Sequence, residues 1–159
     1  MKVEYRRAHN NDFPAISLLW WKMQNSQIIY DQHYYRNKGM SDCIELCKKH
    51  LEMLINNSNC LLFVAIYSDE IIGYILANIR ELPPIYVQKA KIEVDSVSVN
   101  HKYRRKGVFS GLLECVVNEA KNRSVESIEL FVDYENPNKQ AYLKSGFKVR
   151  QEIMVKCCN

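Results

Sequence analysis

The sequence lacks the marks of membrane, secreted and repeat proteins. No apolar run approaches the roughly 20 residues that cross a bilayer, and residues 1–7 alternate like a strand, without the apolar core of a secretory signal. No repeat, low-complexity tract or Gly/Ser linker divides the 159 residues. We therefore predict one soluble domain spanning 1–159, located in the cytoplasm and without a membrane partner.

The cysteine pattern indicates neither a metal site nor a lipid-attachment site. None of the six cysteines belongs to a CxxC pair backed by histidines, so no metal site is expected. Cys157 and Cys158 precede Asn159 without forming a CaaX box, and we interpret them as exposed thiols. A net charge of +4 is mild and gives no reason to expect a nucleic-acid partner.

What is present is a pattern of alternating strands and helices. A first strand ends near Arg7, an amphipathic helix begins at Asp12, and a second helix opens at Ser41 with a buried stripe that includes Ile44. Strands are predicted over 60–67, 71–79 and 91–99, a helix from Gly107, then a strand over 127–132, a short helix ending at Gly146, and a closing strand over 147–155. This order predicts an α+β fold with a central sheet.

The segment 95–111 carries the strongest chemical signal. It combines a strand, a basic loop with Gly107, and a helix start, and such a helix terminus offers free N–H groups to a phosphate. It is neither a Walker A loop nor a dinucleotide fingerprint, because the required glycines are missing. On this segment alone, a polyphosphate site and an ordinary solvated cationic loop are equally good interpretations.

The run Arg104-Arg105-Lys106-Gly107-Val108-Phe109 resembles the R/Q-x-x-G-x-G/A motif of the GNAT superfamily, and Val99 and Tyr103 precede it as is typical there. Tyr142 to Gly146-Phe147 is similar to the late Y-x-x-x-G-F element of that family. The resemblance covers nearly the whole chain. It implies the GNAT fold, with a mixed, mostly antiparallel sheet flanked by helices, and the transfer of an acetyl group from acetyl-CoA to an amine.

The resemblance also implies where acetyl-CoA binds. The strand backbone at Val97 and Val99 would contact the pantetheine arm, and a backbone N–H near Val97 or Ser98 would polarise the thioester carbonyl. The pyrophosphate would lie on the loop and helix start, and Asn136 or Asn138 would contribute from a later loop. The loop residues concerned are Arg104, Arg105, Lys106, Gly107, Val108, Phe109 and Ser110. Phe109 departs from the motif, and helical spacing predicts that its ring points into the core.

Amide formation needs a base for the ammonium and a donor for the departing thiolate. Asp95 lies where related enzymes carry a base, and Glu93 has the same strand parity. A water relay, and a merely structural carboxylate paired with a cation, are the alternatives. Tyr142 matches the family's acid by its spacing to Gly146, and the alternative is a packed aromatic on a short helix. Aromatic residues around Asp31 would shape the acceptor pocket.

Two other functions are compatible with the sequence. A non-catalytic acyl-CoA-binding regulatory module is suggested by Phe109, and a nucleic-acid-binding domain by the basic loop, although we disfavour the latter. Members of this family often pair, and the predicted closing strand is hydrophobic at alternate places, so a homodimer is also expected.

Overall fold

The computed structural model describes residues 1–156, so Cys157 and Cys158 lie outside the described residues. Within these residues, five strands form one sheet, and four α-helices accompany it. In chain order these elements are β1 (Glu4–Arg7), α1 (Phe13–Gln27), α2 (Met40–Leu54), β2 (Cys60–Tyr67), β3 (Glu70–Glu81), β4 (Ala90–Val99), α3 (Val108–Asn122), β5 (Ile128–Leu130) and α4 (Lys139–Lys144).

The strands lie in chain order, β1 to β5, with antiparallel neighbours as far as β4 and a parallel β4–β5 pair. The predicted α+β fold with a mixed, mostly antiparallel sheet is confirmed. Ser68 and Asp69, both with positive φ, make the tight β2–β3 turn, as the hairpin prediction required.

Apolar residues cover both faces of the sheet. One core lies under α3 and includes Ile92, Val94, Leu112 and Val116. The other lies under α1 and α2 and is built around Phe13, Ile16, Leu51, Tyr74 and Leu76. The sheet therefore forms the middle of three layers, and β4 contributes Ile92 and Val94 to the core under α3.

A β-bulge interrupts β4 at Asp95. Leu76 pairs with Ser96 and the next residue, Ala77, pairs with Val94, so Asp95 is an extra residue on its strand. A bulge re-aims side chains and strengthens the local twist. On the far side of β4, pairing with β5 ends at Val94 and Leu130, while β4 itself continues to Val99.

The predicted closing strand is wrong for the described residues: none of the residues 147–156 belongs to a strand. The three-residue β5 offers a very short edge to pair with, and Val149, Ile153 and Val155 remain exposed. An ion pair from Arg150 to Glu129, at 2.6 Å, joins this segment to the sheet. The expectation of a homodimer loses the part of its support that rested on this strand.

Two helical interpretations also need correction. In α3 the core position belongs to Val108, which is 1% exposed, and Phe109 is not part of that core. In α2 the buried stripe begins at Cys43, and Ile44 is only partly buried. Further along each helix the predicted stripe is buried, at Leu112, Leu113 and Val116 in α3 and at Cys47 and Leu51 in α2, so the error lies at the first residue of each stripe.

Candidate active site

The unpaired end of β4 opens a gap beside β5. Hydrogen-bonded and non-bonded pairs alternate along an antiparallel ladder, and the Asn100 N–H donates to the Ile72 carbonyl at 2.8 Å. By that alternation the backbone polar groups of Val97 and Val99 point away from β3, toward the gap. The Val99 carbonyl accepts a hydrogen bond from Arg104 Nε at 3.1 Å.

The N-terminus of α3 lies at the end of the following loop. Gly107 precedes the helix with a φ of +81°, in the left-handed region, and no side chain caps the helix. Gly111 N–H donates to the Gly107 carbonyl at 3.1 Å. The N–H groups of Val108, Phe109 and Ser110 have no hydrogen-bond partner among residues 1–156, which is the arrangement that binds anions.

Three cationic residues precede this terminus, and within residues 1–156 none of them has a carboxylate partner. Arg104, Arg105 and Lys106 form no ion pair within residues 1–156. Lys106 Nζ lies 5.5 Å from the centre of the Tyr103 ring, and Arg105 has a φ of +59°. The loop therefore combines free positive charge with a backbone bent around the helix start.

Asp95, the bulged residue, belongs to a cluster of polar side chains on the α1–α2 face. Its Oδ2 accepts a hydrogen bond from Asn78 Nδ2, and Asn78 is 6% exposed. The Arg80 guanidinium lies 3.7 Å from Asp95 Oδ1 and 3.6 Å from Glu93 Oε1. Both carboxylates that the sequence proposed as bases therefore flank one cation.

Burial raises the pKa of Asp95 above its ordinary value, and the nearby Glu93 adds to the effect. The Asn78 hydrogen bond and the Arg80 charge oppose that rise. A carboxyl group with a raised pKa is a better proton acceptor than an ordinary aspartate. Asp95 therefore shows a feature of each interpretation made from the sequence, a raised pKa and a cationic partner.

Tyr142 lies elsewhere, against the start of α3. Its ring meets the Phe109 ring edge-to-face at 5.4 Å and the Phe147 ring at 6.2 Å. Burial raises the pKa of Tyr142, and the charge of Arg104 partly offsets that rise. Within residues 1–156, no hydrogen bond or ion pair joins the Tyr142 group to the Asp95 cluster.

The remaining predicted cofactor residues have local partners. Ser98 Oγ donates to the Leu19 carbonyl at 3.4 Å, on the α1 face and away from the gap. Asn136 Oδ1 accepts the Asn138 N–H at 2.9 Å in the turn before α4. Asn136 is 9% exposed and Asn138 is exposed.

The α1–α2 loop, 28–39, was expected to shape the acceptor pocket. Asp31 Oδ1 accepts the N–H groups of His33 and Tyr34, at 2.8 and 2.9 Å. Tyr34 and Tyr35 form an edge-to-face pair at 4.9 Å. Burial raises the pKa of Tyr35, and the charge of Asp133 adds to that rise. Tyr35 therefore lies within electrostatic range of Asp133, in the segment after β5.

Sequence reasoning missed Asn78 and Arg80. Both lie on β3, at alternate positions of the face that Asp95 shares, and the bulge brings Asp95 toward them. A polar residue at position 78, inside an otherwise apolar strand, was the available signal.

The chain matches the family model for the acetyltransferase (GNAT) family over residues 17–147. It belongs to the GNAT family. It is 38% identical over 95 residues to an N-alpha-acetyltransferase from Saccharolobus solfataricus, an alignment covering 54% of this chain and 55% of the relative. The chain thus matches about half the length of that curated protein.

Solved structures share the GNAT fold. A tetramutant of the BH1408 protein from Bacillus halodurans superposes with a TM-score of 0.86 at 18% identity, covering 98% of this chain and 99% of that one. A predicted acetyltransferase with acetyl-CoA from Clostridium acetobutylicum superposes with a TM-score of 0.72 at 23% identity, covering 98% of this chain and 96% of that one.

Within residues 1–156, no helix is long and apolar enough to span a membrane, and no cluster of potential metal ligands is found.

Proposed function

We propose that the protein transfers the acetyl group of acetyl-CoA to a primary amine by direct attack in a ternary complex. The observation that carries this proposal is the gap between β4 and β5. Its β4 edge runs from Asp95, past the outward backbone groups of Val97 and Val99, to the loop that ends at the free N–H groups of α3. An extended ligand with a pyrophosphate at one end matches that sequence of groups.

The residues present suit acetyl-CoA, whose thioester supplies an activated acetyl group. The α3 terminus would hold the pyrophosphate, with Arg104, Arg105 and Lys106 adding positive charge. Val97 and Val99 would hydrogen-bond the pantetheine arm. Val97 is also better placed than Ser98 to polarise the thioester carbonyl, because the ladder commits the Ser98 backbone to β3.

Asp95 would take the proton of the attacking amine, directly or through a water, with Glu93 as the second candidate. Tyr142 would donate to the sulfur as the thiolate leaves. No covalent enzyme intermediate is required. Burial, and secondarily the charge of Asp95, raise the pKa of the nearby Cys60 thiol, which disfavours the thiolate that nucleophilic catalysis would need.

The test combines binding and turnover. Both CoA and acetyl-CoA should raise the melting temperature, because a ligand that binds only the folded state stabilises it. Acetyl-CoA should then be consumed with a panel of amines, beginning with peptides that carry a free α-amine, the acceptor suggested by the name of the S. solfataricus relative. No thermal shift at millimolar acetyl-CoA would refute the proposal. Binding without turnover of any amine would favour the regulatory module.

A further inference from the structure

Phe109 occupies the motif position where the family carries glycine or alanine. Its ring is absent from the core beneath α3, which Val108 and Leu112 fill instead. The Phe109 ring meets the Tyr142 ring at 5.4 Å with an interplanar angle of 73°, the edge-to-face geometry that aromatic pairs prefer. Among the ring contacts of residues 1–156, the aromatic neighbour of Phe109 is therefore Tyr142.

Tyr142 has few other restraints. Its helix, α4, is six residues long and contains no fully buried residue. The Tyr142 hydroxyl makes no hydrogen bond within residues 1–156. Its second aromatic contact, with Phe147, is longer, at 6.2 Å. A short helix of this kind does not hold a side chain firmly by itself, so the ring contacts set where the phenol points.

We propose that Phe109 is a positioning residue for Tyr142, holding the phenol toward the reacting end of acetyl-CoA. The proposal rests on the proposed function, in which Tyr142 is the acid. Phe109 then has two separate roles. Its backbone N–H belongs to the free terminus of α3, whereas its ring fixes the donor for the thiolate. One residue thereby joins pyrophosphate binding to placement of the acid.

The two roles can be separated by substitution. Phe109→Leu keeps the N–H and an apolar side chain but removes the ring, so CoA affinity should stay within about twofold of wild type while kcat falls about two- to tenfold, the worth of one aromatic pair. Phe109→Tyr keeps the ring and should retain most of kcat. A purely structural role would lower the melting temperature without this split between kcat and CoA affinity.

A double-mutant cycle provides the decisive measurement. Tyr142→Phe keeps the ring and removes the hydroxyl that Phe109 is proposed to place. Adding Phe109→Leu to Tyr142→Phe should therefore cost little further kcat. If the two losses instead multiply, Phe109 does not act through the Tyr142 hydroxyl and the inference is overturned.

The same cycle distinguishes the two proposals. If Tyr142→Phe alone is fully active, the acid role of Tyr142 fails and the inference falls with it. If Tyr142→Phe is impaired but Phe109→Leu is as active as wild type, only the inference fails. Should Phe109→Leu not fold, Phe109→Met provides the same comparison, since it also keeps the N–H and lacks a ring.

Discussion

The two ends of the proposed site are built differently. At the start of α3, the cations Arg104, Arg105 and Lys106 have no acidic partner within residues 1–156, and the distinctive features are backbone ones: free N–H groups and the positive φ of Gly107. At the bulge, the opposite holds. The Asp95 carboxylate is engaged by side chains, through a hydrogen bond from Asn78 and an ion pair with Arg80.

Because of this difference, the two ends of the proposed site should respond differently to substitution. A site made from backbone tolerates changes of side chain as long as φ and the helix start are preserved. A site made from side chains depends on the identity of each one and on pH, because its groups titrate and pair. The predictions below test that contrast.

The largest effect is expected for Asp95→Asn. This change removes the proton acceptor, and general bases contribute about a hundredfold or more to rate. The loss of kcat/KM should be greatest near neutral pH and smaller at alkaline pH, where the amine loses its proton unaided. Steady-state rates across pH, with CoA affinity measured in parallel, provide the check.

CoA affinity should be unchanged in Asp95→Asn, because the pyrophosphate terminus is untouched. A loss by the same factor at every pH would instead mean that Asp95 holds the cation rather than taking its proton. Glu93→Gln is the matched variant, since Glu93 flanks the same Arg80. A larger loss in Glu93→Gln would reverse the two assignments.

Gly107→Val tests the backbone end. A Cβ at Gly107 meets no protein atom within 4 Å, so steric clash inside the protein is not the reason to expect an effect. The reason is the φ of +81° at Gly107. A β-branched residue in that conformation costs on the order of 1–2 kcal/mol or shifts the helix start. The thermal shift caused by CoA should therefore disappear.

Two controls separate backbone from side chain. Gly39→Val adds a Cβ where none is crowded and where φ is −56°, so its CoA shift should match wild type. Arg105→Asn removes a charge from the loop but tolerates the left-handed φ of +59°; its CoA affinity should fall only about two- to fivefold. A greater loss of CoA affinity in Arg105→Asn than in Gly107→Val would mean that side-chain charge, and not backbone geometry, determines binding at this end of the site.

The fold was predictable where local chemistry and sheet pairing agree. The Ser68-Asp69 turn lies between two long runs of β-forming residues, and Gly146 ends α4 with a φ of +91°, as the sequence suggested. Prediction failed over 147–155, where hydrophobic alternation indicated a strand but the short β5 offers little to pair with. Alternation records what a segment can form, and pairing depends on its neighbour.

The site divides in the same way. The free terminus of α3 lies within one contiguous run of sequence, and the resemblance of that run to the GNAT motif is what allowed its residues to be named. Asn78 and Arg80 could not, because they reach Asp95 through a bulge that depends on how β3 and β4 pair. The ring of Phe109 was assigned to the core by helical spacing, whereas the contact with Tyr142 comes from α4, far away in sequence.

The smallest effect, and the one most specific to the side-chain end, is expected for Arg80→Gln. Arg80 lies 3.7 Å from Asp95 Oδ1, and its charge lowers the pKa of a carboxyl group that burial raises. Removing that charge lets the pKa of Asp95 rise further. Because the base must be ionised, the acidic limb of the kcat/KM profile should then move to higher pH, while the rate on the plateau stays within about twofold.

The shift should be modest and sensitive to salt, since the Arg80 side chain is 52% exposed and its charge is partly screened. High ionic strength should accordingly move the wild-type limb toward that of the variant. Arg123→Gln is the matched control, because Arg123 pairs with Glu119 on α3 and not with Asp95. In the Asp95→Asn background the limb assigned to Asp95 is gone, so Arg80→Gln should move no part of the remaining pH profile. If a limb still moves there, another group titrates in the reaction, and Glu93, 3.6 Å from the same guanidinium, becomes the base.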